Sequence, residues 1–336
     1  MTEGFRDFKY VSTARGHHWV SQTYLARFTR EGHKDSKLYV VDLHQRKVFS
    51  TSPANLCKKR DFNRIESDTL PIDALETALS KFEDLVGGAL TEIQRAPERI
   101  SWSNWNILLN FMALLAVRNP IIREHVNKRA TEQWIRAIED ATDTPEKFAA
   151  IFAKAQAAGD IDKSLTPDFD RHREFLTARR FTVEFPHGTF VPSEFDAVDD
   201  VLRQLGMRRW TVLRAPADSG GFVTTDRPVT PARRDGLHPS NKNPVDFRSE
   251  NTLVFFPLSP DLLALGHFGG ANPRLRLTDV NRELVARANF TTIRGCRQWV
   301  LARDASFEVK RAQSAPTILG DEILDLFGEW EDGGDA

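Results

Sequence analysis

The sequence predicts an α+β fold, with a helix-rich middle section flanked by an N-terminal hairpin and a C-terminal mainly antiparallel sheet. Three observations carry this. Between about residues 71 and 205, apolar side chains recur three and four apart, the period of a helix. Before residue 53 and after residue 207 the apolar runs are short and β-prone, and polar or proline-containing stretches bound them. The two strand-rich ends enclose the helical middle, so they are expected to pack together as one interleaved domain over 16–317. Residues 1–15 are read as a flexible N-terminus and 318–336 as a closing helix and acidic tail.

Taken in order, Val20, Tyr24 and Phe28 fall four apart and predict a short helix with Ser21 as its N-cap. Leu38 to Leu43 and Val48 to Ser52 form the hairpin, joined by the polar His44-Gln45-Arg46-Lys47. Pro71 opens a long helix whose stripe is Ile72, Leu75, Leu79, Phe82, Val86, Ala89 and Ile93; Gly87-Gly88 should weaken or bend it. Ser101 caps a second helix that Pro120 breaks. Further helices are expected from Ile121 to Ala141, from Thr144-Pro145 to Gly159, and around Phe169 to Arg180. An amphipathic helix follows from Ser193 to Leu205, stopped by Gly206.

The strand-like runs are Trp210 to Leu213, Gly221 to Thr225, Thr252 to Phe256, Leu262 to Leu265 and Gln298 to Leu301. Arg227 to Glu250 reads as a long charged loop, and helices near Val280 to Asn289 and Ile318 to Phe327 close the chain.

Composition removes several classes of function. Hydrophobic residues at 40% and charged residues at 28% place the chain with globular proteins rather than disordered ones. Lys and Arg number 46 against 47 Asp and Glu, a net charge of -1, which argues against a surface that grips nucleic acid in bulk. Cys57 and Cys296 are the two cysteines, with no Cys-X-X-Cys or Cys/His cluster, so neither a disulfide framework nor a zinc site is indicated. No cofactor or metal is called for.

Met1 to Arg15 lacks the apolar core of a signal peptide. The most apolar run, Ile107 to Val117, is far shorter than the roughly 20 residues that span a bilayer. A cytoplasmic protein with no membrane partner is the expectation. Ile107, Leu108, Phe111, Leu114 and Leu115 are expected in a buried central helix. Phosphate loops, Gly-X-Gly-X-X-Gly, His-Glu-X-X-His and Gly-X-Ser-X-Gly signatures do not occur in the sequence.

Three stretches resemble a known family. His18-Trp19-Val20-Ser21-Gln22-Thr23-Tyr24-Leu25-Ala26-Arg27-Phe28 is similar to the opening of a bacterial family called domain of unknown function 4238, which begins His-Tyr-Val-Pro-Gln-Phe-Tyr-Leu. Phe222-Val223-Thr224-Thr225-Asp226-Arg227-Pro228-Val229 resembles its Phe-Ile-Thr-Ser-Asp-X-Pro-Val. Phe256-Pro257-Leu258-Ser259-Pro260 resembles its Phe-Pro-Leu-Ser-Pro. Ser21 stands where the family has proline, and Thr225 where it often has serine. The resemblance spans roughly Gly16 to Ala302 and implies where a site lies, not what it does.

The candidate site draws on these segments. His18 titrates near neutrality and suits proton transfer, or else simply bonds a backbone carbonyl; His17 is expected exposed and idle. Gln22 and Arg27 project from the first helix, offset by about 140°. Arg118 ends an almost wholly apolar helix, where a charge is paired, lines a cavity or complements the helix C-terminus. Asp226, after Thr225, sits where a strand meets a turn, as a functional carboxylate or an Asx-turn cap. Glu76 and Glu83, one heptad apart, read as solvated or ion-paired.

Convergence of His18, Arg118 and Asp226 is expected, with His18 and Asp226 as the catalytic pair and Gln22, Arg27, Arg118 and Thr225 as substrate-binding residues. Two readings follow: a metal-independent hydrolase of a phosphodiester or nucleotide-like substrate, or a non-catalytic module that binds a ligand or a protein.

Overall fold

The computed structural model of the chain describes residues 16–65, 69, 71–185, 188–236, 245–269 and 275–327. The α+β class holds, but backbone contacts divide the chain into two compact units. One comprises the residues up to Asn119 together with those from Gly188 onward; the other is Pro120–His187. The interleaving of N- and C-terminal strands occurs within the first unit. The contacts set 120–187 apart, for which an expectation of one domain over 16–317 made no provision.

In the first unit the chain runs through β1 (Gly16–His18), α1 (Gln22–Leu25), β2 (Leu38–Asp42), β3 (Lys47–Thr51), β4 (Lys58–Arg60), α2 (Ala74–Arg95) and α3 (Trp102–Val117). The second unit consists of α4 (Pro120–Ala141), α5 (Pro145–Ala158) and α6 (Phe169–Ala178). The chain then returns to the first unit with α7 (Val191–Gly206), β5 (Arg209–Arg214), β6 (Thr224–Thr225), β7 (Thr230–Arg233), β8 (Thr252–Ser259), β9 (Leu262–His267) and β10 (Leu275–Asp279). It ends with α8 (Arg282–Arg294), β11 (Trp299–Ala302), β12 (Glu308–Val309), β13 (Ile318–Leu319) and α9 (Ile323–Leu326).

Two sheets organise the first unit. One has the order β10-β5-β9-β8-β7, in which only the β10–β5 pair is parallel. The other, β3-β2-β11-β6, is antiparallel throughout, so the N-terminal hairpin completes a sheet with strands from the far end of the chain, Thr224–Thr225 and Trp299–Ala302. Val40 and Val41 point to opposite faces of β2 and are both fully buried, so the strand is covered on both faces.

α2 and α3 pack on one core with α7. Along α2 the stripe Leu75, Val86, Ala89, Leu90 and Ile93 is buried, and the helix runs unbroken through Gly87-Gly88. Gly87 is where α1 rests: a Cβ there would stand 2.8 Å from the Thr23 methyl. In α3, capped by Ser101 on the Asn104 amide, Leu108, Phe111 and Leu115 are buried while Ile107 and Leu114 are partly so. Tyr24 links the layers. Its ring stacks on Phe256, and its hydroxyl bonds Thr224 Oγ1 at 2.7 Å and donates to the Pro257 carbonyl at 2.8 Å.

Several expectations change. The stretch Arg227 to Glu250 is not one loop, since β7 lies within it; residues 237–244 are outside the described residues. The strand expected from Gly221 shortens to Thr224–Thr225. Ile318 to Phe327 is not one helix but β13 followed by the single turn α9. The N-terminus 1–15 and the acidic end beyond Phe327 lie outside the described residues. Cys57 and Cys296 are free and buried, and burial raises both thiols. Among the described residues no single helix is long and apolar enough to cross a membrane.

Candidate functional site

The three residues of β1 pair with β4, so neighbouring side chains point to opposite faces. His17 turns inward and is only 5% exposed, the reverse of the exposed position expected for it. Its Nδ1 accepts the Asn63 amide at 2.8 Å. Asn63 is the hub of a buried network. Its Nδ2 donates to Glu76 at 2.6 Å, and its Oδ1 accepts from Arg118 at 2.6 Å. The Arg118 Nε lies 3.4 Å from the Glu194 carboxylate, and its guanidinium is 6.0 Å from the Phe195 ring centroid. Arg118 at 4% and Glu194 at 5% exposure are thus a buried ion pair, held by further hydrogen bonds as such pairs require.

His18 faces the other way and is half-buried. Gln22, four residues on, brings its Nε2 to 3.5 Å from His18 Nδ1. The buried His18 Nε2 has no hydrogen-bond partner among the described residues. Burial lowers the pKa of this ring, assisted by Lys58 and His17, while the Ala54 backbone and Glu76 oppose the shift.

Beside it, the Ser21 hydroxyl caps α1 on the Thr23 amide at 3.2 Å and lies close enough to Glu83 to favour its ionised form. Glu83 is the most altered carboxyl of this group. Burial, with Glu76 and Asp84 nearby, lifts it to about 7. Glu76 therefore lies within electrostatic reach of both His18 and Glu83.

The other candidates are engaged elsewhere in the fold. The Asp226 carboxylate accepts the backbone amides of Arg297 and Gln298, each at 2.9 Å, and so ties the end of β6 to the start of β11. Burial lifts this carboxyl to about 6, against the pull of those two donors and of Arg227. Thr225 Oγ1 accepts the Arg227 amide at 3.1 Å, closing the turn. Arg27 docks on α2, donating to Gln94 and to the Gly87 carbonyl at 3.0 Å each and to Thr91 at 2.7 Å.

The N-terminal segment 17–19 touches all three of the distant regions, but through different residues. His17 reaches Arg118 by way of Asn63, His18 meets Gln22, and Trp19 donates its indole N–H to the Asp226 carbonyl at 3.1 Å while stacking on Trp299. His18 makes no hydrogen bond to Asp226, whose carboxylate is taken by backbone. Sequence reasoning overlooked Asn63 and Glu194, and it expected an exposed His17 and a solvated or ion-paired Glu83. Only the adjacent histidines on a strand, one of which must face inward, carried a signal for this. Among the described residues no group of three or more His, Cys, Asp or Glu side chains is placed to hold a metal ion.

Fold and site together define an α+β protein with a histidine-centred polar cluster at the capped start of its first helix. Residues 16–306 match the model of the family described as "Protein of unknown function (DUF4238)", and the chain belongs to that family. No curated protein and no solved structure matches it.

Proposed function

We propose that the cluster around His18 is an acid–base site, and that the protein is a metal-independent hydrolase of a phosphodiester or nucleotide-like substrate. One observation carries the reading: two titratable groups, set for complementary roles near neutral pH, flank the N-terminus of α1. His18 is held below its usual pKa and stays a base at neutrality, whereas Glu83 at about 7 still retains a proton. Gln22 orients the imidazole and Glu76 stands near both. The buried Arg118, paired with Glu194 and bonded to Asn63, anchors the His17 side of the same strand, β1.

The pH profile follows from the order of the two groups. Turnover rises as His18 loses its proton, below pH 6.5, and falls as Glu83 loses its own near 7. The test is hydrolysis of bis-(p-nitrophenyl) phosphate and of cyclic and linear dinucleotides, in excess EDTA, by wild type, His18→Gln and Glu83→Gln. Each substitution is expected to lower turnover about 100-fold or more, with no loss of melting temperature. Absence of EDTA-resistant turnover, or its survival in both variants, overturns the reading.

A second reading, a non-catalytic ligand- or protein-binding module, is favoured by a different observation. Arg27, Arg118, Thr225 and Asp226 all have partners within the fold. Binding of a substrate analogue that depends on His18, without turnover, would select it.

A further inference from the structure

Well apart in sequence from the His18 cluster, α8 and the β7 side of the five-stranded sheet enclose a cleft of about 390 Å³. Its floor is apolar, built from Leu213, Leu253, Phe255 and Leu265, and Phe290 of α8 adds a second aromatic ring. Around this floor stand Arg233, Arg234, Arg287, Arg294 and Arg311, and among the described residues no aspartate or glutamate lines the cleft. Arg287 and Arg294 are one heptad apart on α8, a spacing that returns to the same helix face within about 20°. Arg294 also lies over the Phe290 ring, 5.8 Å from its centroid.

The neighbouring cations are balanced. Arg233 pairs with Asp235, Arg282 with Glu308, and Lys310 with Glu283 at 3.2 Å. Among the described residues Arg234, Arg287, Arg294 and Arg311 form no ion pair. Four guanidiniums gathered on an apolar cleft without a carboxylate repel one another, and an anion binding between them relieves that repulsion. Burial lowers the pKa of Arg294, and the neighbouring Arg311 charge adds to the lowering.

We propose that this cleft binds a phosphate ester with a flat, apolar body, of mononucleotide size. Guanidinium forks match phosphate oxygens in pairs, and several arginines suit a multiply charged group better than a single carboxylate. The floor and the two phenylalanine rings accept a planar body, and the volume falls within the ordinary range for small-molecule sites. The inference is independent of the reading of the His18 cluster, because the two sets of residues do not overlap.

The experiment uses the full chain and N-methylanthraniloyl-AMP as fluorescent probe, with AMP, adenosine and inorganic phosphate as competitors. Arg287 and Arg311 are exposed, so Arg287→Gln with Arg311→Gln leaves the fold intact, which the melting temperature verifies. Saturable binding is expected, weakened at least tenfold in the double variant and unchanged in His18→Gln. AMP should displace the probe at far lower concentration than either adenosine or phosphate. No binding at millimolar probe, equal affinity in the double variant, loss on His18→Gln instead, or equal displacement by adenosine would each overturn the proposal.

Discussion

At the scale of single residues, Glu83 and Asp226 hold their protons more tightly in the folded protein than in the unfolded chain, at about 7 and about 6. A carboxyl whose folded pKa is raised stabilises the fold when protonated, so stability falls as pH climbs through the interval between unfolded and folded values. For Glu83 that interval runs from 4.5 to about 7, and the penalty is complete above it. Glu83→Gln should therefore be more stable than wild type at pH 8, by on the order of 1–3 kcal/mol once partial exposure is allowed for. The gain should vanish near pH 4. Urea unfolding at pH 4, 6 and 8 measures it, and equal midpoints at pH 8 would show that Glu83 is not held protonated. Stability given up at one carboxyl is what a site maintained for function predicts.

Asp226 behaves differently on substitution, because each of its oxygens accepts a backbone amide. Asparagine would turn an NH2 toward one of those donors, leaving it buried and unmatched, at a cost of about 1–3 kcal/mol. A melting temperature unchanged in Asp226→Asn would show that the β6–β11 tie does not bear on stability. The apolar run before it marks a carboxylate next to buried sequence here, but nothing marks its partners. Those are main-chain groups 71 and 72 positions away, and a backbone amide has no residue identity to read. The same limit hid the choice between His17 and His18. A strand of three residues is too short for alternation to reveal its phase, so the expectation of an exposed His17 has the inward and outward histidines reversed.

At the scale of elements, the helices were the most legible part. α2 and α7 carry long periodic stripes, and α3 and α5 start at Ser101 and Thr144, each accepting an amide from its own first turn. Strands at sheet edges were the least legible. β7 contains Pro231 and Arg233 and, among the described residues, pairs on one side only, with β8, where a missing N–H and a charge are tolerated. β4 is Lys-Lys-Arg with every side chain exposed, so nothing in its pattern marks a strand.

The glycine pair of α2 separates local propensity from packing. Gly88 has open space at its Cβ, and Gly88→Ala should stabilise the protein by about 0.5–1 kcal/mol through helix propensity alone. At Gly87 the same gain meets the Thr23 methyl at 2.8 Å, where α1 rests on the helix. Gly87→Ala should thus be no better than wild type, or worse, and should disturb Ser21 and Gln22 next to Thr23. Thermal melts of the two variants decide this, and equal stabilisation by both would show that α1 does not press on α2.

At the scale of the whole chain, the two units differ in how much apolar surface each hides. In the first, a continuous core joins α1, α2, α3, α7 and both sheets, with Tyr24, Phe111 and Phe256 in mutual contact at its centre. In the second, only Pro120, Ile135, Thr142, Phe148 and Leu176 are buried among the described residues. Phe148 stacks on His172, whose imidazole bonds the Thr142 hydroxyl at 2.9 Å, while Trp134, Ile151 and Phe175 remain exposed. Sequence periodicity registered α4, α5 and α6 as helices but not this poverty of burial, because a stripe on a helix does not state what covers it.

Units with few buried contacts open at lower free energy than those with dense cores, and exchange of backbone hydrogens reports that opening segment by segment. Amides of α4, α5 and α6 should exchange well before those of α3, β8 and β9, under conditions where the whole protein stays folded. Differential protection is expected to persist in the Glu83→Gln variant, whose gain in stability lies in the first unit. If α4–α6 instead exchange as slowly as β8 and β9, the helical unit must gain its stability from cover that its own side chains do not provide, such as a partner or a second copy of the chain. Repeating the exchange over a range of protein concentrations then separates those two sources, since only self-association gives protection that grows with concentration.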